Sequence, residues 1–145
     1  MKKFALAFTA SILLISSVAF AENGKPNPAE ITFQKIFRGT SNLKWTEGKE
    51  FLTASFVLDN VQVLAFFNHS GELIGTARNV LYNQLPLVVK NEINSRYASN
   101  DIYDIVEYTV DSETFYQMTI ETSTKKLKVK ISMAGSSSVI ESSKK

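Results

Sequence analysis

Cysteine is absent from the 145 residues, and histidine occurs once, at His69. The first absence excludes a disulfide scaffold, a thiolate metal site, a cysteine nucleophile and a lipoprotein anchor. The second excludes any site that needs two imidazoles. Proline occurs three times and glycine six times, too few for a collagen-like or Pro/Gly-rich low-complexity chain. Neither sign of charge prevails, with 16 Lys and Arg against 14 Asp and Glu. What is present is ordinary: 44% apolar and 21% charged residues, the composition of a globular protein of one domain.

Residues 1–21 read as a signal peptide. Lys2 and Lys3 form a positive start, Ile12-Leu13-Leu14-Ile15 an apolar centre, and Ala19-Phe20-Ala21 a small-residue cleavage site before Glu22. Thr9, Ser11, Ser16 and Ser17 interrupt the run, which disfavours a retained transmembrane anchor. Cleavage removes Lys2 and Lys3, so the 16 basic side chains become 14 against 14 acidic ones. A neutral exported chain is poorly suited to nucleic acid, whose binding rests on phosphate neutralisation. Without disulfides it must rely on an apolar core, and residues 22–145 are enough for one.

After a Pro/Gly-containing lead-in, 22–28, the spacing of Ile31, Phe33, Ile36 and Phe37 predicts a short amphipathic helix over 29–38, stopped by Gly39. Strands are expected at 43–46, 50–58, 61–67 and 72–81, with turns at Asp59-Asn60 and Asn68-His69-Ser70-Gly71. The period then changes. Leu81, Leu85, Val89, Ile93 and Tyr97 recur every four residues and predict a second helix, with Pro86 in its first turn. Further strands follow at 101–111, 114–121 and 125–133, with a last edge strand at 137–142. Residues 38–45, RGTSNLKW, align with 96–103, RYASNDIY, at an offset of 58. The order of elements on both sides of this match predicts an internal duplication. The expected fold class is α+β: a tandem repeat of one helix plus antiparallel strands, 29–81 and 82–142, in a single domain over 22–145, with the helices on one face of the sheet.

Leu85-Pro86-Leu87-Val88-Val89-Lys90 with Ile93 and Tyr97, then Asp101-Ile102-Tyr103-Asp104-Ile105-Val106-Glu107, resemble the helix opening and first strand of the PepSY-like group. That group is related in fold to beta-lactamase-inhibitor proteins. Residues 65–73 resemble the strand, glycine turn and strand of such repeats. The turn at Ala134-Gly135, followed by serines, departs from the pattern. The resemblance implies this fold, export, and a non-catalytic role as a binding or inhibitory module. It brings no catalytic residues with it.

Catalytic readings start from few residues. His69 lies in a hairpin turn with Glu72 as the nearest acid, and no serine sits in a glycine-framed nucleophile turn. Asp101, Asp104, Glu107, Asp111 and Glu113 contain carboxylate pairs but no EF-hand spacing. Lys126, Lys128 and Lys130 share one strand face, which either meets an acidic partner or a membrane surface, or is a solvated face balanced by Glu107 and Glu121. Aromatics give the sharper expectation. Strand side chains alternate between faces, so if Tyr108 and Tyr116 pack under the helices, Tyr103 and Phe115 point away. Trp45, Phe51, Tyr103, Phe115 and Gln117 are therefore the expected partner-binding residues on an open sheet face. The chain is expected to be an exported, non-enzymatic binding module, periplasmic or secreted, with a protein- or peptidase-inhibitor role allowed. It would hold an extracytoplasmic protein or peptide, with no cofactor, metal or nucleic acid and no membrane insertion after cleavage; a homodimer is allowed. The alternatives are a self-associating envelope protein and a small hydrolase centred on Glu107 or His69.

Overall fold

The computed structural model describes residues 27–145; the leader at 1–21 lies outside them. Asn27 caps helix α1 (Pro28–Ile36) by accepting a hydrogen bond from the Ala29 amide at 2.9 Å. Pro28 at the first position costs no helical hydrogen bond, and Glu30 and Lys35 complement the helix dipole at its two ends. Ala29 and Phe33 face inward.

Four strands follow: β1 (Ser41–Glu47), β2 (Leu52–Leu58), β3 (Val61–Phe67) and β4 (Leu73–Asn79). A 3-10 turn (Tyr82–Gln84) leads into α2 (Leu87–Tyr97). Then come β5 (Asp101–Val110), β6 (Glu113–Glu121), β7 (Lys125–Ser132) and β8 (Ser137–Lys144). Asp59-Asn60 and Asp111-Ser112 all have positive φ, the two-residue hairpin turn that matches strand twist.

The eight strands form one antiparallel sheet in sequence order, β1 to β8. This corrects the expected tandem repeat. The described residues form mostly a single continuous sheet with two helices, and β4 and β5 pair directly from Gly75↔Val110 to Asn79↔Val106. The duplicated pattern also fails residue by residue. Trp45 pairs with buried Ala54 on the helix side, whereas Tyr103, its counterpart at the offset of 58, pairs with Thr119 on the other.

Both helices cover the same sheet face. Phe33 of α1 packs on Phe56, Trp45 and Phe67, with ring centroids 4.9, 5.7 and 6.5 Å apart. Around it lie Leu52, Ala54, Val63 and Ala65. Val89 and Ile93 of α2, with Leu85, pack on Ile105, Tyr116, Met118, Ile120, Val129 and Ile131. Leu81 is two-thirds exposed and stands ahead of the 3-10 turn, so the four-residue period overruns the helix. Pro86 caps α2 rather than opening its first turn.

Two glycines fix close approaches. A Cβ on Gly71, at φ +87°, would lie 2.6 Å from Pro28, where the β3–β4 turn meets α1. A Cβ on Gly75 would lie 2.5 Å from the Thr109 carbonyl oxygen, at the β4–β5 pairing. The last strand, expected over 137–142, runs to Lys144.

Candidate functional site

The sheet face away from the helices is assembled by register. The two-residue turn at Asp111-Ser112 pairs Val110 with Glu113, which places Tyr108 opposite Phe115 and Glu107 opposite Tyr116. Tyr108 therefore lies on the open face and only Tyr116 lies under α2. This corrects the expectation that the two tyrosines share the helix side. Across the sheet one row runs Ser55, Leu64, Ala77, Tyr108, Phe115, Ser132. The Tyr108 and Phe115 rings stack with centroids 5.2 Å apart and planes 11° apart. The Lys130 ammonium sits 3.8 Å from the centre of the Phe115 ring. Lys130 pairs with Gln117 in the neighbouring row, so cation, ring and phenol form one stack across β7, β6 and β5. Tyr108 is 3% exposed and Phe115 half-buried. Burial pushes the Tyr108 hydroxyl pKa up, so Tyr108 is a neutral supporting ring and Phe115 the presented one.

Tyr103 reaches the same face through a β-bulge. Between Tyr103 and Val106 the register shifts by one residue, with Asp104 in the left-handed region at φ 52°. The extra residue lets Ile102 and Ile105 both point inward while Tyr103 and Val106 both point outward. Strict alternation would place Tyr103 on one face with Glu107 and Ile105, and the bulge separates them. The Tyr103 hydroxyl donates to Glu121 Oε2 at 2.9 Å. Glu121 also receives Lys145 at 2.5 Å and Lys126 at 3.8 Å. These partners, Lys145 first and Tyr103 next, hold its carboxyl below the usual range. Lys126 lies 6.0 Å from the Tyr103 ring centre.

Of the five residues singled out from sequence, three share the open face: Tyr103, Phe115 and Gln117. Gln117 is only 4% exposed, so it lies within the face more than on it. Trp45 is on the opposite side, 5.7 Å from Phe33 and 5.5 Å from Phe67. Phe51 is in the β1–β2 turn, where its carbonyl accepts from the Gly48 amide at 2.8 Å, rather than in a strand. Tyr108 and Lys130 were missed as members of the site. The signal for Tyr108 was the two-residue turn, which fixes β5–β6 register.

Glu107 faces the helix side between the two apolar clusters. Arg78 Nε donates to its Oε1 at 2.7 Å and the Tyr116 hydroxyl donates to its Oε2 at 3.0 Å. It therefore cannot balance the lysines of β7 as expected; Glu121 does so for Lys126 alone. Burial, reinforced by the bond to Glu107, pushes the Tyr116 hydroxyl up to about 12. The hydrogen bond to Glu107 raises the Arg78 guanidinium pKa. His69 lies in the β3–β4 turn, its Nε2 3.3 Å from the Lys49 carbonyl oxygen. Glu72 is bound to Asn68 through both side chain and backbone, at 2.6 and 2.9 Å. No group of three or more metal-ligating side chains occurs among the described residues. Nor, among them, is any helix long and apolar enough to cross a membrane.

No protein-family model and no curated protein matches the sequence. Solved structures share the fold. A BLIP-like (beta-lactamase-inhibitor-protein-like) protein from Bacteroides fragilis is 18% identical with a TM-score of 0.69, covering 82% of this chain and 85% of that one. A protein from Bacteroides eggerthii, named as a candidate periplasmic protein, is 13% identical with a TM-score of 0.71, covering 82% and 88%. A DUF2874 family protein from Bacteroides ovatus is 15% identical with a TM-score of 0.71, covering 85% and 89%. The inhibitor-like fold expected from sequence is thus borne out. The PepSY-like half of the resemblance finds no support in these three proteins.

Proposed function

We propose that this chain is an exported, non-enzymatic binding module that holds an extracytoplasmic protein or peptide on its open sheet face, in the manner of an inhibitor. The observation that carries this reading is the Tyr108–Phe115–Lys130 stack on the face the helices leave uncovered. A solvated sheet face needs only polar side chains; this one presents a half-buried aromatic ring with apolar Val106 and Val110 diagonal to it on the neighbouring strand. Aromatic anchors set among polar neighbours are the usual centre of a protein interface. The leader sequence, the periplasmic name of one structural neighbour and the BLIP-like name of another support the same location and role. Glu107, bound on both oxygens, and His69, in an exposed turn, support a hydrolase poorly.

The test is affinity capture from envelope and culture-supernatant fractions on the immobilised chain from Glu22. A protein retained in stoichiometric amount, competed off by free chain and lost on Phe115→Ala or Tyr103→Ala is expected. Undiminished capture by the double variant would remove this face from consideration. Self-association is the second reading, favoured by edge strand β8, where Val139 and Ile140 are 50% and 42% exposed. It predicts a concentration-dependent dimer in light scattering that Val139→Lys abolishes.

A further inference from the structure

We infer that the partner segment held by the open face is acidic: a carboxylate-bearing stretch of protein chain that carries an apolar side chain onto Phe115 and its acids onto Lys128 and Lys130. This rests on the binding reading above and adds the chemistry of the partner. The argument is one of charge left over. Lys126, Lys128 and Lys130 all point to the open face, paired in register with Glu121, Thr119 and Gln117. Glu121 is already engaged by Lys126, Lys145 and the Tyr103 hydroxyl. Glu107 points to the helix side and is bound by Arg78 and Tyr116. Lys128 faces Glu141 across the β7–β8 pair without closing to an ion pair, and Lys130 faces Gln117 and Ser138, so among the described residues neither lysine is held by a carboxylate.

Both lysines are half-buried, so water screens them less than it does freely extended side chains. They lie two residues apart on one strand, about 7 Å, a spacing that two carboxylates of an extended or looped peptide can match. The ring under Lys130 holds its ammonium at a fixed place, which removes part of the ordering cost of binding. An anionic lipid surface fits less well. Cleavage of the leader leaves 14 basic against 14 acidic side chains, and Glu121 and Glu141 stand opposite Lys126 and Lys128 in register, Glu141 on the β8 side away from Phe115. A flat anionic surface would meet those acids, while a single acidic segment can avoid them.

The experiment is a backbone-amide NMR titration of the chain from Glu22. The probes are a blocked peptide, Gly-Asp-Phe-Glu-Asp-Leu-Gly, and a counterpart with lysine in place of each acid. Shifts are expected with the acidic peptide alone, centred on Phe115, Gln117, Thr119, Lys128 and Lys130. They should weaken about tenfold or more on Lys128→Gln/Lys130→Gln and on raising salt. Equal response to the basic counterpart, shifts centred on β8, or no response at millimolar peptide would overturn the inference. So would stronger binding of the same lysines to phosphatidylglycerol vesicles. The two proposals separate in the capture assay. A partner lost on Phe115→Ala but retained by Lys128→Gln/Lys130→Gln at all salt concentrations keeps the face and discards the acidic chemistry. A melting curve for each variant excludes unfolding as the cause.

Discussion

Phe115, the ring proposed to meet the partner, has two neighbours: the buried Tyr108 ring and the Lys130 ammonium. Stacking on Tyr108 adds about 0.5–1.5 kcal/mol beyond area burial, and the Lys130 contact about 0.5–1 kcal/mol at a partly exposed site. Truncating Phe115 to alanine should therefore lower stability by about 1–3 kcal/mol, readable in urea denaturation, without unfolding the chain. On the helix side, the Arg78–Glu107–Tyr116 group makes a different prediction. The fold keeps Tyr116 neutral, raising its hydroxyl from the usual 10 to about 12. A raised value means this contribution to stability is complete below pH 10 and disappears as pH rises toward 12. Tyr108 shifts in the same direction, so Tyr116→Phe should flatten the loss of stability in that window in part. An unchanged slope in denaturation midpoints measured across it would refute the role given to Tyr116.

At the scale of elements, the β-bulge at Asp104 decides which side chains form the site. The positive φ there favours glycine, so Asp104→Gly should be neutral or stabilising by up to about 1 kcal/mol. Deleting Asp104 should also be tolerated, because it removes the extra residue and leaves Ile102 and Ile105 inward and Tyr103 and Val106 outward in regular alternation. A Gly75→Val variant should be strongly destabilised, since its Cβ would meet the Thr109 carbonyl oxygen at 2.5 Å. Thermal melts of the three variants give the order directly. These elements also show what the sequence made legible. The β3 span, the turn at Asp59-Asn60, the α2 face of Leu85, Val89 and Ile93, and the outward direction of Phe115 follow from period and turn chemistry alone. The placement of Tyr103 away from Glu107 does not, because a bulge breaks the alternation on which face assignment depends. A signal was nevertheless present. Ile102 and Ile105 are three residues apart in one strand, and an alternating strand cannot bury both. Trp45 could not be placed because β1 is an edge strand with its own register shift between Ser41 and Lys44.

Across the whole molecule, the antiparallel sheet runs without a break from β1 to β8, although each helix covers its own apolar cluster. The β4–β5 pairing and the Arg78–Glu107 ion pair span the region between the clusters. Unfolding should therefore be one cooperative transition. Phe33→Ala in the first cluster should cost about 3–5 kcal/mol and Ile93→Ala in the second about 2–5 kcal/mol, each lowering the same calorimetric peak. Two separable peaks would show that the halves fold independently.

Among the described residues the two helices cover one face of the continuous sheet, and the central claim is that a partner occupies the other. Site-specific photo-crosslinking tests this most directly, with the reactive residue placed either at Thr119, on the open face beside Gln117, or at exposed Val88 on α2. Incubated with the captured partner, the Thr119 position should form the adduct and the Val88 position should not. Adducts from Val88 with none from Thr119 would place the partner on the helical side and contradict the claim.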